Sequence, residues 1–186
     1  MRPWLQTVPS PLGPITLAAD VRGTLVYLGF GARDPRTRLL EVLDREAGGL
    51  SADPEALAPV RRQLEAYFRG GLRTFDLPIA PRGTPFQLRV WAELLKIPYG
   101  RTISYGELAR RLGDPNLTRA VGAANGANPI SIIIPCHRVI GAGGNLVGYG
   151  GGLAVKRGLL ALERGPESGL LFPQEGDGFH VLGEGE

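Results

Sequence analysis

Apolar positions recur along this chain with two different spacings, and the change from one to the other outlines its organisation. Near the start, Thr7-Val8, Ile15-Thr16-Leu17-Ala18 and Thr24-Leu25-Val26-Tyr27-Leu28 are rich in β-branched and aromatic residues. The intervening Pro9 to Gly13 and Asp20 to Gly23 carry turn chemistry, so a small antiparallel sheet is expected. The spacing then lengthens. Leu39, Leu40 and Leu43 predict a helix capped by Asp34, with Pro35 at its first position, that stops at Gly48-Gly49. Val60, Leu64, Tyr67 and Phe68 predict a second helix from about Pro59 to Phe68, closed by Gly70-Gly71.

A proline-rich stretch, Leu77 to Pro85, places a domain boundary between residues 1–81 and 82–165. Beyond it, Thr84-Pro85 should open a helix reaching Lys96, with Phe86, Val90, Trp91, Leu94 and Leu95 on one face. Ser104 and Glu107 have capping-box spacing, and the short helix they start should end at Gly113. Asp114-Pro115 then begins another, running through Leu117, Arg119, Ala120, Val121 and Ala124 towards Gly126. Helix, short turn, helix is the pattern of a helix-turn-helix, although many helical hairpins bind nothing. Ile130 to Ile134 reads as a buried strand, and Leu153 to Leu162 as an amphipathic helix. The fold class is α/β (α+β).

Composition narrows this picture. Apolar residues make up 43% of the 186, enough for a packed core, and no window approaches a membrane span. The Met-Arg-Pro-Trp start lacks a charged region followed by an apolar stretch, and a single cysteine cannot form an internal disulfide. A free thiol in the cytoplasm is therefore expected. Two histidines and one cysteine are also too few for a structural zinc site. The charge is unevenly spread: residues 82–165 hold eleven basic and four acidic side chains, whereas 166–186 hold five acidic and no basic ones. A basic middle segment favours phosphate backbones or is simply a solvated surface. The Gly-rich acidic end is expected to be a mobile extension.

The candidate chemistry sits in that basic segment. Cys136, the only cysteine, is next to His137. A lone buried cysteine is usually a small hydrophobe, but a thiol beside an imidazole can be activated as a nucleophile. Neighbours on an extended strand face opposite ways, so a direct bond is not guaranteed and contact through a water is the alternative. Between 115 and 165 the only acidic side chain is Glu163, the leading candidate to orient the imidazole or else an ordinary helix-end acid. The helix around Arg119 is built of small residues, Ala120, Gly122, Ala123, Ala124, Gly126 and Ala127. Reading base edges would require several long polar side chains, so sequence-specific recognition is not expected. Small residues let backbone approach backbone, in a narrow groove, against the Ile130 to Ile134 segment, or both on different sides of the helix. The Cys/His/Glu set also permits a hydrolase acting on an ester or amide, a reading that leaves the basic helix-turn-helix without a purpose.

Ile134-Pro135-Cys136-His137-Arg138-Val139, preceded by Asn128-Pro129 and followed by Gly151 to Lys156, resembles the signature of the O6-alkylguanine-DNA alkyltransferases, which are direct-reversal DNA repair proteins. The similarity extends over most of residues 84–165, including Thr102 to Tyr105 and Arg119 to Gly122. It implies a ribonuclease H-like N-terminal domain with an antiparallel sheet, and a mostly helical, winged-helix-like C-terminal domain. The implied activity is irreversible transfer of an alkyl group, chiefly methyl, from O6-alkylguanine and O4-alkylthymine in double-stranded DNA to the protein's own cysteine. The protein would act once, as a monomer, with no cofactor or metal. Cys136 would attack the alkyl carbon, His137 would deprotonate it through a water with Glu163 behind, and Tyr105 would donate to guanine N3. Arg119 would take the place of the extruded nucleotide, with Thr118, Ala120, Gly122 and Ala123 against the DNA. Asn128 would match the hinge asparagine between helix and active-site strand, and Val139, Tyr149 and Gly151 would line the guanine pocket. Gly150 stands where some relatives carry serine or a larger residue, and Ala127 where many carry arginine or glycine. The cysteines and histidines that bind zinc in some relatives are missing from the N-terminal domain.

Overall fold

The computed structural model describes residues 2–31, 38–52 and 55–165. The expected Asp34-Pro35 helix start and the acidic segment 166–186 lie outside those residues. Strands β1 (Trp4–Val8), β2 (Ile15–Ala19) and β3 (Leu25–Phe30) form an antiparallel sheet in that order. β1 starts earlier than its β-branched residues suggest, because Leu5 N donates to Ser51 O at 3.0 Å and Ser51 N to Pro3 O at 2.8 Å. Pairing with a segment far along the chain extends the strand, and local pattern does not report it. β3 is buried along its whole length, which explains its unbroken apolar run.

Helix α1 (Arg38–Ala47) covers one sheet face, packing Leu43 on Ala18, Val26 and Tyr27. On the other face α2 (Ala58–Phe68) places Val60, Leu64, Tyr67 and Phe68 against Ile15, Leu17 and Leu28. That cluster runs without a break into the C-terminal helices, so one core joins the two halves of the chain. The outer edge of β3 joins them a second time. Leu25 N donates to Pro78 O and Ala80 N to Leu25 O, both at 2.9 Å; further along, Leu28 N donates to Pro129 O at 2.9 Å and Ser131 N to Leu28 O at 2.8 Å. The segment leading to Cys136 is thereby fixed to the sheet.

In the second half, α3 (Pro85–Leu94) begins with a reciprocal capping box between Thr84 and Gln87. The expected box at Ser104 forms only in part. Ser104 Oγ accepts from Glu107 N at 3.0 Å, but the Glu107 carboxylate turns to Arg110 at 2.7 Å and Arg111 at 3.2 Å. Two guanidinium groups are stronger partners for it than one backbone amide. α3 ends short of Lys96, since Lys96 N and Ile97 N donate three residues back, to Glu93 O and Leu94 O, tightening the last turn.

β4 (Ile103–Ser104) leads into α4 (Tyr105–Arg111) and pairs in parallel with β5 (Val139–Ile140). The helix expected from Asp114 is divided. Asp114 Oδ1 accepts from Asn116 N at 2.8 Å, and a 3-10 turn, Pro115–Leu117, precedes α5 (Thr118–Gly126). Trp91 Nε1 donates to Ala124 O at 2.8 Å, pinning α5 to α3. α6 (Leu153–Arg164) is the last helix among the described residues. Among the described residues no helix is long and apolar enough to cross a membrane.

Candidate active site and nucleic-acid interface

The expected strand from Ile130 to Ile134 is a turn. Only Ile130 bridges to β3, after which Ile133 N donates to Ser131 O at 2.8 Å and Ile134 N to Ile130 O at 3.0 Å. Asn128 imposes this path: Oδ1 accepts from Ile130 N at 3.0 Å and Nδ2 donates to Ile134 O at 2.8 Å. Ile132 is left at φ 69°, an unfavourable backbone for a β-branched residue, which the surrounding structure must over-determine. Asn128 is fully buried and stands behind the site, its amide engaged with the backbone of this turn.

Cys136–Arg138 then form a single 3-10 turn instead of the extended strand expected. Successive side chains therefore fan around the turn, and His137 and Arg138 both reach the same acceptor. That acceptor is Glu163, delivered by α6. Oε1 accepts from His137 Nε2 at 2.8 Å, Arg138 Nη2 at 2.9 Å and the Tyr67 hydroxyl at 2.9 Å; Oε2 accepts from Arg138 Nε at 2.8 Å and Gly100 N at 3.1 Å. At Gly100, φ is 73° and a Cβ would stand 2.9 Å from Glu163 O, so that close approach requires glycine. Arg138 is held further by Nη1 donating to Ile97 O at 2.6 Å and by its guanidinium over the Tyr99 ring at 5.8 Å.

Electrostatics fixes the protonation pattern. Burial opposes ionisation of Glu163, but hydrogen bonds and charge from His137 and Arg138 prevail and hold its carboxyl at about 2. An ionised carboxylate can only accept, so Nε2 of His137 carries the proton. Burial lowers the imidazole's affinity for a second proton, although Glu163 pulls the other way. With Arg138 already balancing the carboxylate, the ring stays neutral at pH 7. Among the described residues its buried Nδ1 has no hydrogen-bond partner, which makes it the candidate base on the turn that carries Cys136. Cys136 itself is 2% exposed.

Lys156 is seven residues before Glu163 and projects from the same face of α6. Its Nζ donates to Val139 O at 2.6 Å, Val147 O at 2.8 Å and Gly148 O at 3.3 Å, and burial lowers its pKa to about 8. These bonds hold the 141–152 loop over the site. Gly151 is pressed on β3, where a Cβ would meet Phe30 Cβ at 2.9 Å and the half-buried Tyr149 ring at 3.0 Å. Tyr105 lies under the loop: its hydroxyl donates to Val147 O and accepts from Asn125 Nδ2, each at 3.4 Å. Asn125 also donates to Cys136 O at 3.3 Å. Burial raises the Tyr105 pKa while Asn125 lowers it, and the phenol keeps its proton for donation.

On α5, Thr118, Arg119, Ala120 and Ala123 are exposed, while Val121, Ala124 and Asn125 are buried. Gly122 is half-buried, 3.9 Å from the Tyr105 ring. Ala120 and Ala123 thus face outward while Ala124 faces the core, so small residues lie on both sides of the helix. A cleft of about 420 Å³ lined by Ser104, Tyr105, Gly106, Thr118, Gly122 and Ala142 separates this helix from the start of α4.

The structure brings Cys136, His137, Glu163, Tyr105, Val139 and Tyr149 into one region and puts Arg119 on the exposed helix beside it. Sequence pattern does not single out Tyr67, Arg138, Lys156 or Asn125. Arg138 had a signal: a cation between apolar residues, with Glu163 the only acid from 115 to 165, could pair with little else. Tyr67 had none, since it lies 96 residues from its partner.

Comparison with known proteins places these features in context. The family described as 6-O-methylguanine DNA methyltransferase, ribonuclease-like domain, matches residues 5–81, and the corresponding DNA binding domain matches residues 85–165. A methylated-DNA--protein-cysteine methyltransferase of Methanosarcina acetivorans is 50% identical over 137 residues, covering 74% of this chain and 83% of that protein. A protein of the same description from Mycobacterium bovis is 49% identical over 142 residues, covering 76% and 80%. The crystal structure of the Mycobacterium tuberculosis O6-methylguanine methyltransferase superposes with a TM-score of 0.77 at 48% identity, over 87% of this chain and 93% of that one. The Mycobacterium tuberculosis OGT in complex with DNA gives 0.75 at 49% identity, over 86% and 92%.

Proposed function

This chain belongs to the 6-O-methylguanine DNA methyltransferase family, and from that membership we propose that it repairs DNA by direct reversal, accepting the alkyl group of O6-alkylguanine on Cys136. The observation that carries the assignment of roles is the Cys136–His137–Glu163 arrangement, in which a neutral imidazole is anchored through Nε2 to Glu163 and its Nδ1 remains the basic nitrogen.

His137 Nδ1 takes the thiol proton, directly or through a water. The thiolate forms a bond to the alkyl carbon while the bond from that carbon to O6 breaks. The released electron pair passes into the guanine ring, where a hydrogen bond from Tyr105 to N3 stabilises the developing charge. The proton that His137 took from the thiol passes on to the guanine, leaving S-alkylcysteine and intact, neutral guanine. No co-reactant is consumed, because sulfur is the acceptor. The thioether has no route back to the thiol, so each molecule acts once. O4-alkylthymine offers the same exocyclic oxygen and is a second substrate.

The target atom is out of reach inside a duplex, so the base must leave the stack. The outward face of α5, small except for Arg119, lies along the groove, and Arg119 fills the gap left by the extruded nucleotide. Residues 1–81 and 82–165 form the two domains, and the protein works as a monomer in the cytoplasm. Titrating the protein with excess O6-methylguanine duplex tests the stoichiometric reading: repaired duplex should level off at one per protein, and continued turnover would contradict it.

Two further outcomes are expected. Arg119→Ala should slow repair of duplex roughly tenfold, the scale of a lost contact offsetting unstacking, while sparing reaction with free O6-alkylguanine base. Equal losses on both substrates would contradict the gap-filling role. Binding to undamaged duplex should weaken steeply with salt and show little sequence preference, as phosphate contacts require. An affinity independent of salt in a titration from low to moderate ionic strength would remove the basic segment from the interface.

A further inference from the structure

Of the four residues that donate to the Glu163 carboxylate among the described residues, only Tyr67 comes from residues 1–81. It is fully buried in α2, with its ring edge-on to Phe68 at 5.4 Å and to Tyr99 at 6.1 Å, and tilted on Phe75 at 5.4 Å. Phenylalanine would serve that packing equally well, so the ring does not explain the hydroxyl. The hydroxyl donates at 2.9 Å to Oε1, the same oxygen that accepts from His137 Nε2 at 2.8 Å. Donors on one oxygen share its charge: each weakens the others' hold, and together they fix where it sits.

We infer that Tyr67 is a positioning residue of the reaction, through which the N-terminal half of the chain fixes Glu163 and tunes the hydrogen bond that His137 makes to the same oxygen. The inference rests on the alkyl-transfer reading above. The charged and titratable groups around the pair come from several elements. Arg138 of the active-site turn binds both oxygens, Lys156 of α6 disfavours a charged imidazole, and Tyr99 and Arg73 stack beyond, with Arg73 over the Tyr99 ring at 5.6 Å. Cys136 adjoins His137 in the turn. None of these changes when the Tyr67 hydroxyl alone is removed. Without it, more negative charge on Oε1 faces His137, the imidazole holds a proton more strongly, and the carboxylate loses a restraint.

The test is single-turnover transfer from an O6-methylguanine duplex, followed against pH with the full chain, for wild type, Tyr67→Phe and Tyr99→Phe. The rate should rise with pH as His137 loses its proton. In Tyr67→Phe that acidic limb should move up by about half a pH unit, and the plateau should fall roughly tenfold, as for one lost hydrogen bond to a charged group. Duplex affinity should be unchanged. Tyr99→Phe removes a hydroxyl that, among the described residues, donates to Leu162 O at 3.5 Å and not to Glu163, and should keep the wild-type limb. A Tyr67→Phe limb superimposed on wild type, or an equal shift in Tyr99→Phe, overturns the inference alone. An inactive wild type overturns the parent reading and the inference with it. Should Tyr67→Phe not fold, NMR of the wild type decides. The Tyr67 hydroxyl proton should appear as a hydrogen-bonded resonance that moves as His137 titrates, and its absence or indifference to that titration overturns the inference.

Discussion

Glu163→Gln is expected to slow alkyl transfer at least about a hundredfold and to destabilise the fold by about 3–5 kcal/mol, the range for removing one member of a buried ion pair. From the described residues Glu163 accepts five hydrogen bonds, two of them from Arg138, which is 7% exposed. A carboxamide has one oxygen, so its NH2 group must face a donor, and the guanidinium is left without a counter-charge. His137 loses the acceptor that fixes its tautomer, and with it the orientation of Nδ1. Denaturant unfolding and single-turnover kinetics measure the two losses. The pH dependence separates them from a general defect. The Glu163 carboxyl is held at about 2 against an ordinary 4.5, so on acidification the unfolded chain takes up that proton first. Wild-type stability should fall by about 3 kcal/mol as pH drops from about 4.5 to 2, and Glu163→Gln should lack that slope. His137 adds to the acid sensitivity of both proteins: burial keeps it neutral when folded, so stability declines as pH falls below its ordinary 6.5.

Cys136→Ser is expected to abolish alkyl transfer to below detection while retaining the fold and duplex binding. The two side chains differ little in size, so packing around this buried position survives. A hydroxyl does not ionise under the pull of one neutral imidazole to the extent a thiol does, and the thiolate is the stronger nucleophile toward carbon. Gel-shift affinity for an O6-methylguanine duplex beside a repair assay measures both properties. Residual transfer by Cys136→Ser would move the acceptor to another residue.

The helix-turn-helix was legible in the sequence because its signals are local: Ser104 and Asp114 cap amides two or three residues away, and the outward small residues of α5 follow helical spacing. The pairing of His137 with Glu163 was legible because nearby acids are so few. The Ile130 to Ile134 segment misled for a physical reason. Its β-branched residues favour extended backbone, yet the Asn128 side chain and the β3 edge bend it into a turn at φ 69° for Ile132, tertiary contacts overriding propensity. That difference matters to the site, since the 3-10 turn that follows aims His137 and Arg138 at one carboxylate. Tyr67 and Gly100 reach Glu163 from 96 and 63 residues away, and no periodicity reports such distances.

Whether Cys136 carries the alkyl group after reaction is read by peptide mass spectrometry following incubation with a duplex that holds one O6-methylguanine. The peptide containing Cys136 should gain the mass of one methyl group in step with loss of the lesion, with no other peptide altered. An unmodified Cys136 peptide, whether the lesion persists or disappears, would exclude Cys136 as the acceptor.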